Sequence, residues 1–232
     1  MASYFIWKNI NSQNKNVHLW TTPSVIRPEE RVERITIPGR SGELTLTEGE
    51  DIFESYIQTV KITVDGLANI PDVENWLTGA DEVTFSTQPH LKQNARVIGV
   101  VTLEKISHNM NRWSGDVQFY CDPIKHLRES QDITLTENGA AIMNPGDLAA
   151  KPRITVTGSG AVTLRIDSNV LNIPECESGW VVDSMNEWII ADGVPIENAC
   201  SGTFPVIPAG ESIIQWTGNV TSLTISPEWR FL

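Results

Sequence analysis

Apolar residues in this chain alternate with polar ones in short bursts, each cut off by Gly, Pro, Asn or Asp, and this pattern constrains the fold more than any other feature. A period of two is that of a strand with one face in a core and one in water, whereas an amphipathic helix repeats every 3.6 residues. In the first half the clearest bursts are Leu44/Leu46, Tyr56 through Val60 with Ile62 and Val64, Val97 to Leu103, and Val117/Phe119/Cys121. The chain therefore reads as mainly β.

One segment departs from the period. Asn69-Ile70-Pro71-Asp72-Val73-Glu74-Asn75-Trp76-Leu77-Thr78-Gly79 begins with a residue able to cap, carries a proline in its first turn and acids near the positive end of the dipole, and closes on glycine. The spacing predicts a short helix whose Val73, Trp76 and Leu77 pack inward while Asp72 and Asn75 stay in water.

Around Asp122 to Gly139 the apolar rhythm fades, and a domain boundary is expected there, giving domains 1–130 and 131–232. Beyond it come a turn at Asn144-Pro145-Gly146 and the bursts Ile154/Val156, Val162/Leu164/Ile166, Leu171/Ile173, Trp180 to Asp183, Glu187 to Ile190, Ile213/Gln215 and Leu223/Ile225. Many short strands at near-even spacing predict a sandwich or jelly roll. No repeat with a period of 20 to 50 residues is present, which argues against solenoids and propellers.

The 232 residues are 40% hydrophobic and 20% charged, enough for a real core. A net charge of -12 and the absence of any Lys/Arg run disfavour a direct grip on nucleic acid or on an anionic membrane surface. The opening Met1 to Lys8 lacks a signal-peptide pattern, and no apolar run reaches the roughly 20 residues of a membrane span, so synthesis and folding in a cytoplasm are expected. Cys121, Cys176 and Cys200 are odd in number and widely spaced, which suits reduced thiols.

Two runs carry more than local information: Ile37-Pro38-Gly39-Arg40-Ser41-Gly42-Glu43-Leu44, a tight turn between extended segments, and Phe119-Tyr120-Cys121-Asp122-Pro123. With Pro152-Arg153-Ile154-Thr155-Val156, Pro208-Ala209-Gly210 and Ser226-Pro227-Glu228-Trp229-Arg230 following in order, the chain resembles, over nearly its whole length, the distal tail proteins of long-tailed bacteriophages and prophages. The resemblance implies a β-barrel-like α+β first domain with one short helix, followed by a galectin-like jelly-roll β-sandwich.

It also implies a virion protein of the tail tip, made in the host cytoplasm and without enzymatic activity. Its first domains would form a homo-hexameric ring, with the tail tube protein on one face and a tail-tip protein on the other. The second domains would project toward receptor-binding protein or host cell-wall glycan. A ring closed by rotation needs two different patches on each subunit, and free sheet edges are natural candidates. Six copies at -12 each would carry 72 negative charges, and acids lining the bore would let DNA slide.

No residue set points to catalysis, to a cofactor or to a metal. Gly-x-Ser-x-Gly, Walker-type and His-Glu-x-x-His patterns are absent, and His18, His90, His108 and His126 lie far apart without ligand partners at metal-site spacing. Glu48-Gly49-Glu50-Asp51 lacks calcium-loop spacing and reads as a solvated loop. Arg40, flanked by Gly39 and Gly42, is either an inter-subunit contact to a neighbour's carboxylate or a solvated turn arginine.

Trp188 and Trp216 are the candidates for stacking on a sugar ring, because a flat apolar indole matches the apolar face of a pyranose. The competing reading puts Trp180 and Trp188, which sit in the apolar runs Trp180-Val181-Val182 and Trp188-Ile189-Ile190, in the core. A carbohydrate-binding β module is accordingly the alternative function, and a polysaccharide-degrading enzyme a third.

Overall fold

The computed structural model describes residues 3–47, 49 and 51–232; Met1, Ala2, Glu48 and Glu50, and with them parts of the leader and acid-loop expectations, lie outside the described residues. The described chain is mainly β with one short α-helix, as its sequence predicts. It divides into two compact units, one ending at Arg128 and one running Glu129–Phe231.

In the first unit the chain forms β1 (Phe5–Trp7), β2 (Ile10–Asn11), β3 (Val17–Leu19), β4 (Val32–Thr36), β5 (Glu43–Thr47), β6 (Tyr56–Asp65), α1 (Ile70–Trp76), β7 (Ala80–Phe85), β8 (Leu91–Ile98), β9 (Glu104–Lys105), β10 (Arg112–Cys121) and β11 (Lys125–Leu127). The main sheet is antiparallel in the order β2-β1-β7-β8-β10-β6-β3. Its two end strands are consecutive in the chain, joined through the single 3-10 turn Ser12–Lys15.

That link spans about 20 Å at full stretch, while a flat sheet of seven strands would be roughly 29 Å wide. The sheet has to curl, and it does so around an aromatic core. Phe119 sits edge-on to Phe5 and Trp7, at 5.3 Å from each, and to Phe85 at 5.8 Å, while Phe5 stacks on Trp76 at 5.4 Å. Along β6 the period of two holds: Val60, Ile62 and Val64 are buried and Thr59 and Lys61 exposed.

Helix α1 buries Val73, Trp76 and Leu77 and leaves Asp72 and Asn75 in solvent. Its start differs from expectation. Asn69 is itself helical, at φ -85° and ψ -16°, and its amide donates back to the Asp65 carbonyl instead of capping. The burst Val97 to Leu103 is also shorter than predicted. Strand β8 ends at Ile98 because Gly99 turns at φ +72°, and the following segment lies so close over β10 that the Thr102 carbonyl fills the space a Cβ at Gly115 would need.

The second unit contains β12 (Ile133–Leu135), β13 (Ala140–Asn144), β14 (Arg153–Ile166), β15 (Asn169–Cys176), β16 (Trp180–Asp183), β17 (Trp188–Ala191), β18 (Val194–Ile196), β19 (Ser201–Gly202), β20 (Gly210–Ser226) and β21 (Arg230–Phe231). The bursts read as separate strands at Ile154/Val156 and Val162/Ile166 are one strand of 14 residues, and those at Ile213/Gln215 and Leu223/Ile225 are one of 17. Both long strands belong to two layers. Their one half makes β12-β20-β14-β16-β17-β18, and their other half makes β13-β20-β14-β15-β19.

Between the halves the ladder shifts register, and Gly158 and Gly218 mark the bend. A Cβ at Gly158 would meet the Asn219 carbonyl, and one at Gly218, where φ is +99°, would meet the Ala161 carbonyl. Ile154, Val156, Val182, Leu223 and Ile225 from one layer and Leu164, Ile166, Leu171, Ile173 and Ile214 from the other are all at most 1% exposed, so the layers enclose one core. The predicted turn at Asn144 is built by that buried side chain: it accepts from Gly146 N–H at 2.8 Å and donates to the Leu148 and Ile207 carbonyls.

Candidate assembly surface

The Pro-Gly-Arg-x-Gly run forms the tip of a hairpin. Strands β4 and β5 pair antiparallel from Val32↔Thr47 to Thr36↔Glu43, leaving Ile37 to Gly42 as the loop. Gly39 and Gly42 take φ +82° and +83°, a region that L side chains avoid, and the Arg40 N–H closes the turn on the Ile37 carbonyl at 3.2 Å. Around Arg40 there is open solvent, and among the described residues its guanidinium has no ion pair.

Directly opposed residues of an antiparallel pair share a face. Ile35 opposes Leu44 and Glu33 opposes Leu46, so one face of the hairpin carries Ile35, Leu44 and Leu46 with Glu33 beside them, and the other Val32, Arg34, Thr36, Glu43, Thr45 and Thr47. Neither face is covered within the unit: Ile35 is 36% and Leu46 44% exposed. Nor does any other described strand pair with either one, which leaves both outer edges of the hairpin with free donors and acceptors.

Among the described residues, hydrogen bonds fix the arm at its base. There the Arg31 N–H donates to the Ile52 carbonyl, the Glu54 N–H to the Glu29 carbonyl, and Arg31 Nε to Glu54 Oε1 at 2.8 Å. A two-stranded hairpin with nothing on its apolar face is marginal in water. Its geometry suits an element completed by another surface. The main sheet offers fewer edges than expected, since its end strands are only two and three residues long and are tied by the Ser12–Lys15 turn.

A second exposed apolar feature gave no sequence signal of its own. Ile57 and Tyr120 oppose each other on the outer face of β6 and β10 and are 49% and 45% exposed. Both sit at the outward positions of otherwise regular alternation, so the oddity was visible only once the inward positions were assigned.

The two candidate stacking tryptophans are not brought together. Trp216 is 6% exposed, in the half of β20 that pairs with β13, and its backbone is clasped by Asn138, which accepts from its N–H and donates to its carbonyl. With no free ring face it cannot stack on a sugar. Trp188 is 51% exposed on β17, so it is not a core residue: Ile189 takes the inward position and the run Trp188-Ile189-Ile190 hides an ordinary alternation. Trp180 is half-buried.

One cluster of charges joins the ends of two strands. Asp65 closes β6 and Arg112 opens β10, and the guanidinium grips the carboxylate through Nε and through Nη2 at 3.1 Å, with His18 Nε2 3.5 Å away. Hydrogen bonding from Arg112 holds the Asp65 carboxyl below its ordinary range. Burial pushes the Cys121 thiol and the neighbouring Tyr56 phenol each up to about 12. All three cysteines are free, Cys121 and Cys176 buried and Cys200 half-buried. Among the described residues no cluster of His, Cys, Asp and Glu is arranged to hold a metal.

No family model matches the chain, and neither does any curated protein. Among solved structures it is similar, over 100% of both chains and with a TM-score of 0.73 at 16% identity, to the SPP1 Dit (gp 19.1) protein, described as a paradigm of the hub adsorption apparatus in phages infecting Gram-positive bacteria. The chain has the distal tail protein fold. At that identity the likeness is one of fold, and its full coverage takes in both units.

Proposed function

We propose that the protein is a structural, non-enzymatic component of a phage tail: a hub that forms a hexameric ring at the end of the tail, joining the tail tube protein to a tail-tip protein. The observation that carries this reading is the full-length likeness of fold to SPP1 Dit, a hub protein. The β4–β5 arm supports it from the chain itself, as an extended element with an uncovered apolar face and with, among the described residues, two free edges and no ion pair for Arg40 at its tip. Such an arm gives one subunit two unlike patches, the arm and the surface that receives it, which is what closure by rotation requires.

On this reading Gly39 and Gly42 shape the tip so that Arg40 reaches a carboxylate of the neighbouring copy, a match favoured by the chain's charge of -12. The second units face outward, toward receptor-binding protein or the cell wall, and the bore is walled by acids. Sedimentation velocity tests the assembly: the reading expects a species of six times the 25.7 kDa chain. A single species at the mass of one chain, unchanged on adding the tail tube protein, would contradict it.

A further inference from the structure

The face of the second unit opposite its core carries a distinct row of side chains. Across β17, β16 and β14 the register runs Trp188↔Asp183↔Arg153, so these three side chains lie in one row on the face opposite the core. Trp188 and Arg153 stand about half exposed on either side of Asp183, two strand spacings or roughly 10 Å apart, and the row continues from Arg153 to Ser226 on β20. Asp183 lies between them, 4% exposed, and is held rigid: its Oδ1 accepts from the Met185 and Asn186 N–H groups, and its Oδ2 from the Asn186 amide.

That fixed carboxylate forms an ion pair with the arginine, Arg153 Nε lying 3.4 Å from Asp183 Oδ2, while the Arg153 side chain stays about half exposed. Beside this row a second one brings Thr155 and Thr224 together on the same face. The strip thus combines one exposed indole on β17, one planar donor paired with Asp183 on β14, and neighbouring hydroxyls on β14 and β20.

The geometry points to a saccharide-binding strip on the second unit, in which Trp188 stacks on the apolar face of a pyranose and Arg153, positioned by Asp183, donates to ring or hydroxyl oxygens. Asp183 balances the charge of Arg153, and Asp132, held by the Ser226 hydroxyl at the far end of the row, adds a further negative charge, so the strip repels a polyanion and fits an uncharged oligosaccharide better. Trp216, buried in the other layer, takes no part.

The test is saturation-transfer NMR and calorimetric titration of the full chain with lactose, maltotriose and chitotriose. Binding of at least one of them is expected, weakened at least ten-fold by Trp188→Ala, largely restored by Trp188→Phe, and weakened by Arg153→Ala. Trp188 is exposed, so the alanine variant is expected to keep the wild-type melting temperature, which the same samples report. Failure of all three sugars to bind, or binding that Trp188→Ala leaves unchanged, would overturn the site. Neither result bears on ring formation, which is measured separately.

Discussion

Trp7 and Trp76 exchange hydrogen bonds: the Trp7 indole donates to the Trp76 carbonyl at 3.0 Å, and the Trp76 indole donates to the Trp7 carbonyl at 3.2 Å. The pair is 69 residues apart and buried, and it fastens the last turn of α1 to strand β1. Each indole thereby satisfies a backbone acceptor that a phenyl ring could not reach.

Trp76→Phe keeps most of the stacking on Phe5 but strands the donor's partner, and the expected cost is about 1–3 kcal/mol of unfolding free energy. Trp76→Ala adds a cavity and should cost roughly 3–5 kcal/mol. Urea denaturation followed by circular dichroism measures both. A Phe variant as stable as the wild type would show that the reciprocal bonds contribute nothing net.

Alkali should weaken the first unit through one buried pair. Cys121 and Tyr56 oppose each other on β10 and β6, and both are raised in the folded state to about 12 from 9.0 and 10.0. A raised folded value means that the protonated forms favour folding, so their contribution is complete below pH 9 and is lost as pH climbs toward 12. At about 1.4 kcal/mol per unit, the loss is on the order of a few kcal/mol. Cys121→Ala should flatten the decline in melting temperature between pH 9 and 11, and an unchanged slope would count against the coupling.

The bend of the long strands makes a sharp demand at one residue. Gly218 combines φ +99° with the Ala161 carbonyl in the place of a Cβ, so Gly218→Ala should destabilise by roughly 2–4 kcal/mol. Gly39→Ala, at φ +82° but with open space around it, should cost only about 1 kcal/mol. Thermal melts of the two variants give the comparison; equal effects would mean that crowding at the bend is unimportant.

These same positions explain how far the sequence could be read. Alternation identifies the core-facing stretches of β6, through Val60, Ile62 and Val64, and of β10, through Val117, Phe119 and Cys121, and Pro38, Gly39 and Gly42 announce the hairpin tip because only a turn needs them together. Strands β14 and β20 were read as broken because Gly158 and Gly218 look like strand ends. A glycine that lets a continuous strand pass close to another backbone has the same local signature as one that stops it.

Three adjacent apolar residues conceal which of them faces in, so the sequence leaves Trp188 open between core and surface, and only the pairing of Val182 with Ile189 decides it. Within the candidate surface Arg40 and its glycines were legible. The free edges were not, since an unpaired edge is a property of the whole topology.

The arm separates assembly from folding. Ile35 and Leu46 are exposed, so Ile35→Lys with Leu46→Lys should change the stability of the single chain by about 0.5 kcal/mol or less, while abolishing the oligomer in sedimentation. Arg40→Ala should weaken assembly, and more so at low salt, where the ion pair counts most. Loss of folding in the double variant, or an oligomer unaffected by it, would remove the arm from the interface.

Electron microscopy of the purified full chain, alone and mixed with its tail tube protein, addresses the assembly itself. The account predicts rings of six subunits around an open bore, absent from the Ile35→Lys/Leu46→Lys variant. Discrete single particles in both samples, with no annular class, would contradict it.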